Sequence, residues 1–321
     1  LDISGDIDVD GTTNLDIVDI DTSLTVDGTI KLDGNYPTAS GNVALGLNAL
    51  DAVSGNQNTA IGNSSAAATT SGTLNVSVGH QSLLVNTEGY QNTVVGANAM
   101  TANTTGDAHV AMGYRALSSN TTANNNTAIG YDAMRLNVTG SGNVAVGYNA
   151  MEQNLGSNNT GVGSSALTAN TSGGQNTGFG SGALFSNTTG GDNTAVGVNA
   201  LLANISGSNN NAFGRSALDS NTTGANNNAF GRYALQGNTT GTTNVAVGNN
   251  ALYTNSTGVN NVALGHNALN LNTTANANVA IGANALTANT TGASNIGIGH
   301  EALARNTTAS NNTAVGYATL D

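Results

Sequence analysis

A glycine preceded by an apolar residue returns along this chain at a fixed stride, and that stride limits the fold more than any other feature. The marker falls at Gly46, Gly62, Gly79, Gly96, Gly113, Gly130, Gly147, Gly163, Gly180, Gly197, Gly214, Gly231, Gly248, Gly265, Gly282, Gly299 and Gly316. The spacing is 17 residues with two intervals of 16, and the consensus N-x-A-V-G-x-x-A-L-x-x-N-T-T-G-x-x covers about residues 41–321. Such self-similarity marks a repeat array, in which each unit buries its apolar side only against its neighbours. A 17-residue period is too short for the helix pairs of ankyrin-type arrays, and the Gly and Thr density would be costly in helices. One coil of a parallel β-solenoid fits, so the chain is expected to be all-β, a β-roll or β-helix of about 17 coils.

The columns of the repeat carry the detail. The residue before the marker is apolar in all seventeen copies, from Leu45 and Ile61 through Phe179, Phe213 and Phe230 to Val315, which predicts a buried column. Leu or Met stands four residues after the marker in every copy but one (Leu50, Met100, Leu117, Leu184 and Leu303, with Ala66 the exception), which predicts a second. Asn stands four residues before the marker in sixteen copies, and His109 replaces it once. Coils of a solenoid lie about 4.8 Å apart, so identical side chains align along the axis and Asn amides can bond from coil to coil. Small residues two before the marker (Ala44, Ala145, Ala280) and three after it (Ala49, Ala150, Ala285) suit a second, closely packed face. The two short copies place the turn, because a deletion belongs in a loop. Asn154-Leu155-Gly156 and Val53-Ser54-Gly55 each stand where other copies read N-T-T-G. That segment is therefore the turn, with Gly available for φ > 0 and Asn able to bond its own backbone.

Residues 1–40 differ in texture and are expected to form a separate Asp-rich shaft or connector ahead of the solenoid at 41–321. Residues 1–34 hold nine Asp and Lys31, and the alternation in Asp6-Ile7-Asp8-Val9-Asp10 and Thr29-Ile30-Lys31-Leu32-Asp33 predicts short strands with one wet face. Pro37 sits in the junction. Only 7% of the chain is charged, and there is no Cys. Disordered chains typically carry many charges, so the composition argues for order without one large core. The net charge of −12 argues against nucleic acid or an anionic membrane surface as partner, and no apolar run of about 18 residues would span a bilayer.

Candidate chemistry is sparse. The acids after residue 40 scatter over several registers without a carboxylate pair for acid–base work, and no Ser-His-Asp arrangement emerges, so no enzyme is expected. Asp6, Asp8 and Asp10 match the opening of a calcium loop, but its twelfth position is Ile17 where Glu is needed, so a solvated acidic strand is the preferred reading and calcium the competing one. No other cofactor is implied. The turn Asn opens an N-x-S/T sequon at Asn103, Asn120, Asn137, Asn170, Asn187, Asn204, Asn221, Asn238, Asn255, Asn272, Asn289 and Asn306. These read either as a row of N-linked glycan acceptors or as residues that simply make good turns. Tyr114, Tyr131 and Tyr148 follow successive markers and would stack into a stripe suited to a sugar, although unselected surface variation also accounts for them.

Repeats such as Asn193-Thr194-Ala195-Val196-Gly197-Val198-Asn199-Ala200-Leu201, and turns such as Asn221-Thr222-Thr223-Gly224, resemble those of phage tail-fibre-like and bacterial surface fibre proteins. The N-x-A-I-G core at Asn126–Gly130 is similar to the head repeats of trimeric autotransporter adhesins. The resemblance implies an extracellular homotrimeric fibre, on a virion or cell surface, that spans distance and binds a cell surface itself or carries a receptor-binding tip; a cell-surface glycan is the candidate partner. A self-assembling, glycosylated filament without a receptor is the alternative, and an ice-binding solenoid using turn threonines a remote one. The last copy, from Asn312 to Asp321, stops in mid-coil, which leads to an expectation of head-to-tail joining or of a longer polypeptide.

Overall fold

The structure is a computed structural model that describes residues 34–36 and 39–320. The strands expected at Asp6–Asp10 and Thr29–Asp33 lie outside the described residues. Within these, β1 (Gly34–Tyr36) pairs antiparallel with β2 (Ala39–Leu45), Gly34 opposite Asn42. Sixteen strands of three residues follow, one per coil, from β3 (Thr59–Ile61) to β18 (Thr313–Val315). β2 to β18 pair in parallel, each with the next in sequence, as in Val43 opposite Thr59 and Ile296 opposite Thr313. The fold is a β-solenoid, with no helix among the described residues.

The rest of each coil is turn, yet its backbone bonds continue from coil to coil. In the coil of Gly214, Ser216 N donates to Val198 O (2.9 Å), Leu218 N to Ala234 O (3.0 Å) and Thr222 N to Thr239 O (2.9 Å). Every turn of chain is thus tied to both neighbours without being a strand.

The interior of so small a coil has room for few side chains. It is filled by the Ala two before the marker, the Ala three after it and the Leu or Met four after it, as with Ala212, Ala217 and Leu218. Where Ser replaces Ala inside, the hydroxyls satisfy one another: Ser65 Oγ lies 2.9 Å from Ser77 Oγ, and Ser77 Oγ 2.6 Å from Ser82 Oγ. Leu218 reaches its place with φ 52°, in the left-handed region that disfavours branched L-residues by about 1–2 kcal/mol. Burying the side chain returns about 1.5–3 kcal/mol. The two other left-handed residues of this coil, Ser216 and Asn226, have short polar side chains that tolerate the conformation better.

Two expectations are corrected here. The apolar residue before the marker is not buried: Phe213 is 37% exposed, Phe179 55% and Leu45 45%. In a three-residue strand, alternation puts the first and third side chains on one face and the second on the other. The middle residue, usually Ala, faces inward, so the residue before the marker faces out. The turn glycine is also there for a different reason than positive φ. Gly224 is not in the left-handed region, and a Cβ on it would run into Asn221 Oδ1 and the Gly241 carbonyl of the next coil. That column tolerates Ala at Ala123, Ala275 and Ala309. Positive φ belongs to the marker itself: Gly214 has φ 135°, and a Cβ there would lie 2.5 Å from Gly231 O.

Candidate functional site

Two Asn columns line the inside of the coil and hold it to its neighbours. Asn210 donates from Nδ2 to Gly224 O (2.8 Å), while its Oδ1 accepts the backbone N–H of Asn227 in the next coil (3.0 Å). The Asn of the turn does the equivalent one wall away. Asn221 Nδ2 donates to Gly224 O (3.0 Å) and to Asn204 Oδ1 (2.8 Å), and its own Oδ1 accepts from Asn238 Nδ2 (2.8 Å). The coil-to-coil amide bonding expected of the first column is present, as in Asn227 Nδ2 to Asn210 Oδ1 (3.2 Å), and the turn column adds a second ladder beyond the expected bond to its own backbone.

The sequon asparagines therefore point inward. Asn103, Asn120, Asn137, Asn170, Asn187, Asn204, Asn221, Asn238, Asn255, Asn272 and Asn289 are each 0% exposed, and Asn306 is part-buried. A glycan on Nδ2 would have to displace a bond to the turn carbonyl and a rung of the amide ladder, so the folded coil does not present these residues as acceptors. The ladder has one fault. The short turn Asn154-Leu155-Gly156 breaks the register, and Asn137 Oδ1 is left buried without a partner. His109, in the other column, keeps the pattern with an imidazole. Its Nε2 lies 2.6 Å from Ala123 O, and its Nδ1 accepts from Asn126 N (3.2 Å). Burial pushes its pKa below the ordinary imidazole value, and the hydrogen bond with the Ala123 carbonyl opposes that only in part.

The outer surface brings Tyr114, Tyr131 and Tyr148 together as the spacing implied. Their ring centroids are 5.3 and 5.4 Å apart with interplanar angles of 28° and 17°. The rings turn their faces to one another, and the Arg115 guanidinium lies 5.0 Å from the Tyr114 centroid. Edges and hydroxyls are what this ladder offers to solvent. Beside it runs a charged chain that sequence reasoning missed. Arg115 donates from Nε (2.8 Å) and Nη2 (2.6 Å) to Asp132, and Arg135 donates to Glu152 (2.5 Å) while its Nε lies 3.6 Å from Asp132. The 17-residue offsets of Arg115 to Asp132 and of Arg135 to Glu152 were a readable signal, because that offset places residues side by side. Bonding to Asp132 raises the Arg115 pKa further, so its charge is permanent.

A second polar patch lies further along, an open depression lined by Tyr233, Asn250, Tyr253, Asn267, Asn270 and Thr287. Asn250 Nδ2 donates to Asn267 Oδ1 (3.2 Å) across it, and Arg232 stacks 4.5 Å from the Tyr233 centroid. Among the described residues no three His, Asp or Glu side chains gather where a metal ion could sit. Asp6, Asp8 and Asp10 lie outside the described residues. No helix among the described residues is long and apolar enough to cross a membrane. In comparison with known proteins, no family model and no curated protein matches the chain.

Proposed function

We propose that this chain is a length-giving section of an extracellular fibre, of the kind borne on a phage tail or displayed as a cell-surface adhesin. The reading rests on one observation: β2 to β18 pair only with their sequence neighbours, in one unbroken register. A chain built this way gains length in proportion to residues, at about 4.8 Å per coil, and needs no central core to do so. Seventeen coils give roughly 80 Å of rod. No catalytic role is proposed, since the inward asparagines are held by turn carbonyls and by neighbouring coils. Contact with a cell-surface glycan falls to the exposed tyrosine ladder, through hydroxyls and ring edges.

Electron microscopy of the native source tests the reading. Discrete rods attached to a virion or a cell surface are expected. Continuous free filaments would favour the self-assembling alternative, and a protein recovered free inside cells would overturn both.

A further inference from the structure

We propose that the outward face of the sheet β2–β18 is where a second copy of this chain packs. Two positions per coil form that face, the first and third residues of each three-residue strand and their counterparts Val43 and Leu45 in β2. The third is apolar in all seventeen coils, and the first is Val, Ile, Thr or Asn throughout. Every one of these side chains is at least partly exposed, and none carries a charge. The chain as a whole carries −12, so copies repel at a distance and can meet closely only where the surface is neutral.

Size and shape point to another copy as the occupant. Seventeen strands about 4.8 Å apart and roughly 10 Å wide give on the order of 800 Å² per copy, hence about 1,600 Å² in all. That is the standard area of a specific protein interface, and well beyond the scattered exposed apolar residues of a monomer. A partner must also offer an uncharged apolar strip of the same length and the same repeat, which this chain itself does. A water lattice is the competing occupant, because parallel strands also present regular rows. The rows here are uneven: Met112, Phe179, Phe213 and Phe230 interrupt the Val, Ile and Leu of the third position. The Phe213 and Phe230 rings stack at 5.0 Å and stand out from the sheet. Such relief suits an interdigitating protein surface and spoils a flat one. This inference does not depend on the fibre reading.

The test uses the full chain. Sedimentation or light scattering at micromolar concentration should give at least twice 31.6 kDa. The triple variant Ile129→Lys, Val196→Lys, Val247→Lys should give the single-chain mass with unchanged circular dichroism. Because the chain has no Cys, Val196→Cys alone reports proximity, and it should cross-link into dimers on oxidation while Thr189→Cys on the turn should not. If the Lys variant fails to fold, the cysteine pair decides. A single-chain mass for the unmodified protein overturns the proposal, and thermal hysteresis in that sample would assign the face to ice. A folded Lys variant that keeps the oligomer mass, or cross-linking through Thr189→Cys alone, also overturns it.

Discussion

Replacing Asn221 by Ala isolates what the inner amide ladder contributes. The side chain donates two bonds and accepts one, all with buried partners. Its removal leaves Asn204 Oδ1 without a donor, while Gly224 O keeps its bond from Asn210 Nδ2 (2.8 Å) and Asn238 Nδ2 keeps its bond to Gly241 O (3.0 Å). A buried polar group without its partner costs about 1–3 kcal/mol, so the one orphaned acceptor predicts about 1–3 kcal/mol of destabilisation. Water cannot easily relieve it, because the ladder lies inside the coil. Thr223→Ala, on the exposed tip of the same turn, is the control and should cost less than about 0.5 kcal/mol. Native-state hydrogen exchange is the better assay, since a long repeat array can open locally without unfolding as a whole. The amides of the coils on either side of Asn221 should lose protection while distant coils keep theirs. A change at Asn221 no larger than at Thr223 would refute the account of these asparagines as structural and inward-facing.

His109 predicts a pH effect of definite sign. Its folded-state pKa lies below the unfolded value of about 6.5, so the unfolded chain takes up the proton first and stability is lost as pH falls below that value. His109→Asn should flatten urea-unfolding stability between about pH 6.5 and 5, and identical pH curves would contradict the burial argument. Inserting Thr between Leu155 and Gly156 should restore the ladder at Asn137 Oδ1 and raise stability by about 1–3 kcal/mol, whereas an unchanged or lower melting temperature would mean the short turn is already optimal. Leu218→Asp should cost several kcal/mol and Phe213→Asp about 1 kcal/mol or less in dilute solution, which urea unfolding of the two variants compares directly.

The period made most of the fold legible. Leu218 and its column, the Asn210 column and the Asn-Thr-Thr-Gly turn all lie where the sequence implied, because stacking turns a 17-residue repeat into adjacency. The direction of the Phe213 column was not legible from apolarity alone, since a three-residue strand shows too little alternation to say which face is wet. Its variation in size, from Val to Phe, was the available clue. A narrow interior that accepts Ala212 and Ala217 has no room for such variation. The left-handed Leu218 could not be read at all, because local propensity argues against it and only the coil's closure requires it. For the tyrosines, spacing gave proximity, while the face-to-face stacking depends on ring rotation that no sequence pattern encodes.

Seventeen residues of chain advance the solenoid by one strand spacing, and paired spin labels read that advance as a distance. Thr105, Thr189, Thr240 and Thr291 are exposed at the same register of the turn. With labelled chains diluted in unlabelled ones, cysteine pairs at 189/240, 189/291 and 105/291 span three, six and eleven coils. At about 4.8 Å per coil the separations should be roughly 14, 29 and 53 Å, before allowing for the label arms. Distances that rise linearly with coil number at that slope are the predicted result. Distances that level off, or that fall for the longest pair, would contradict the solenoid.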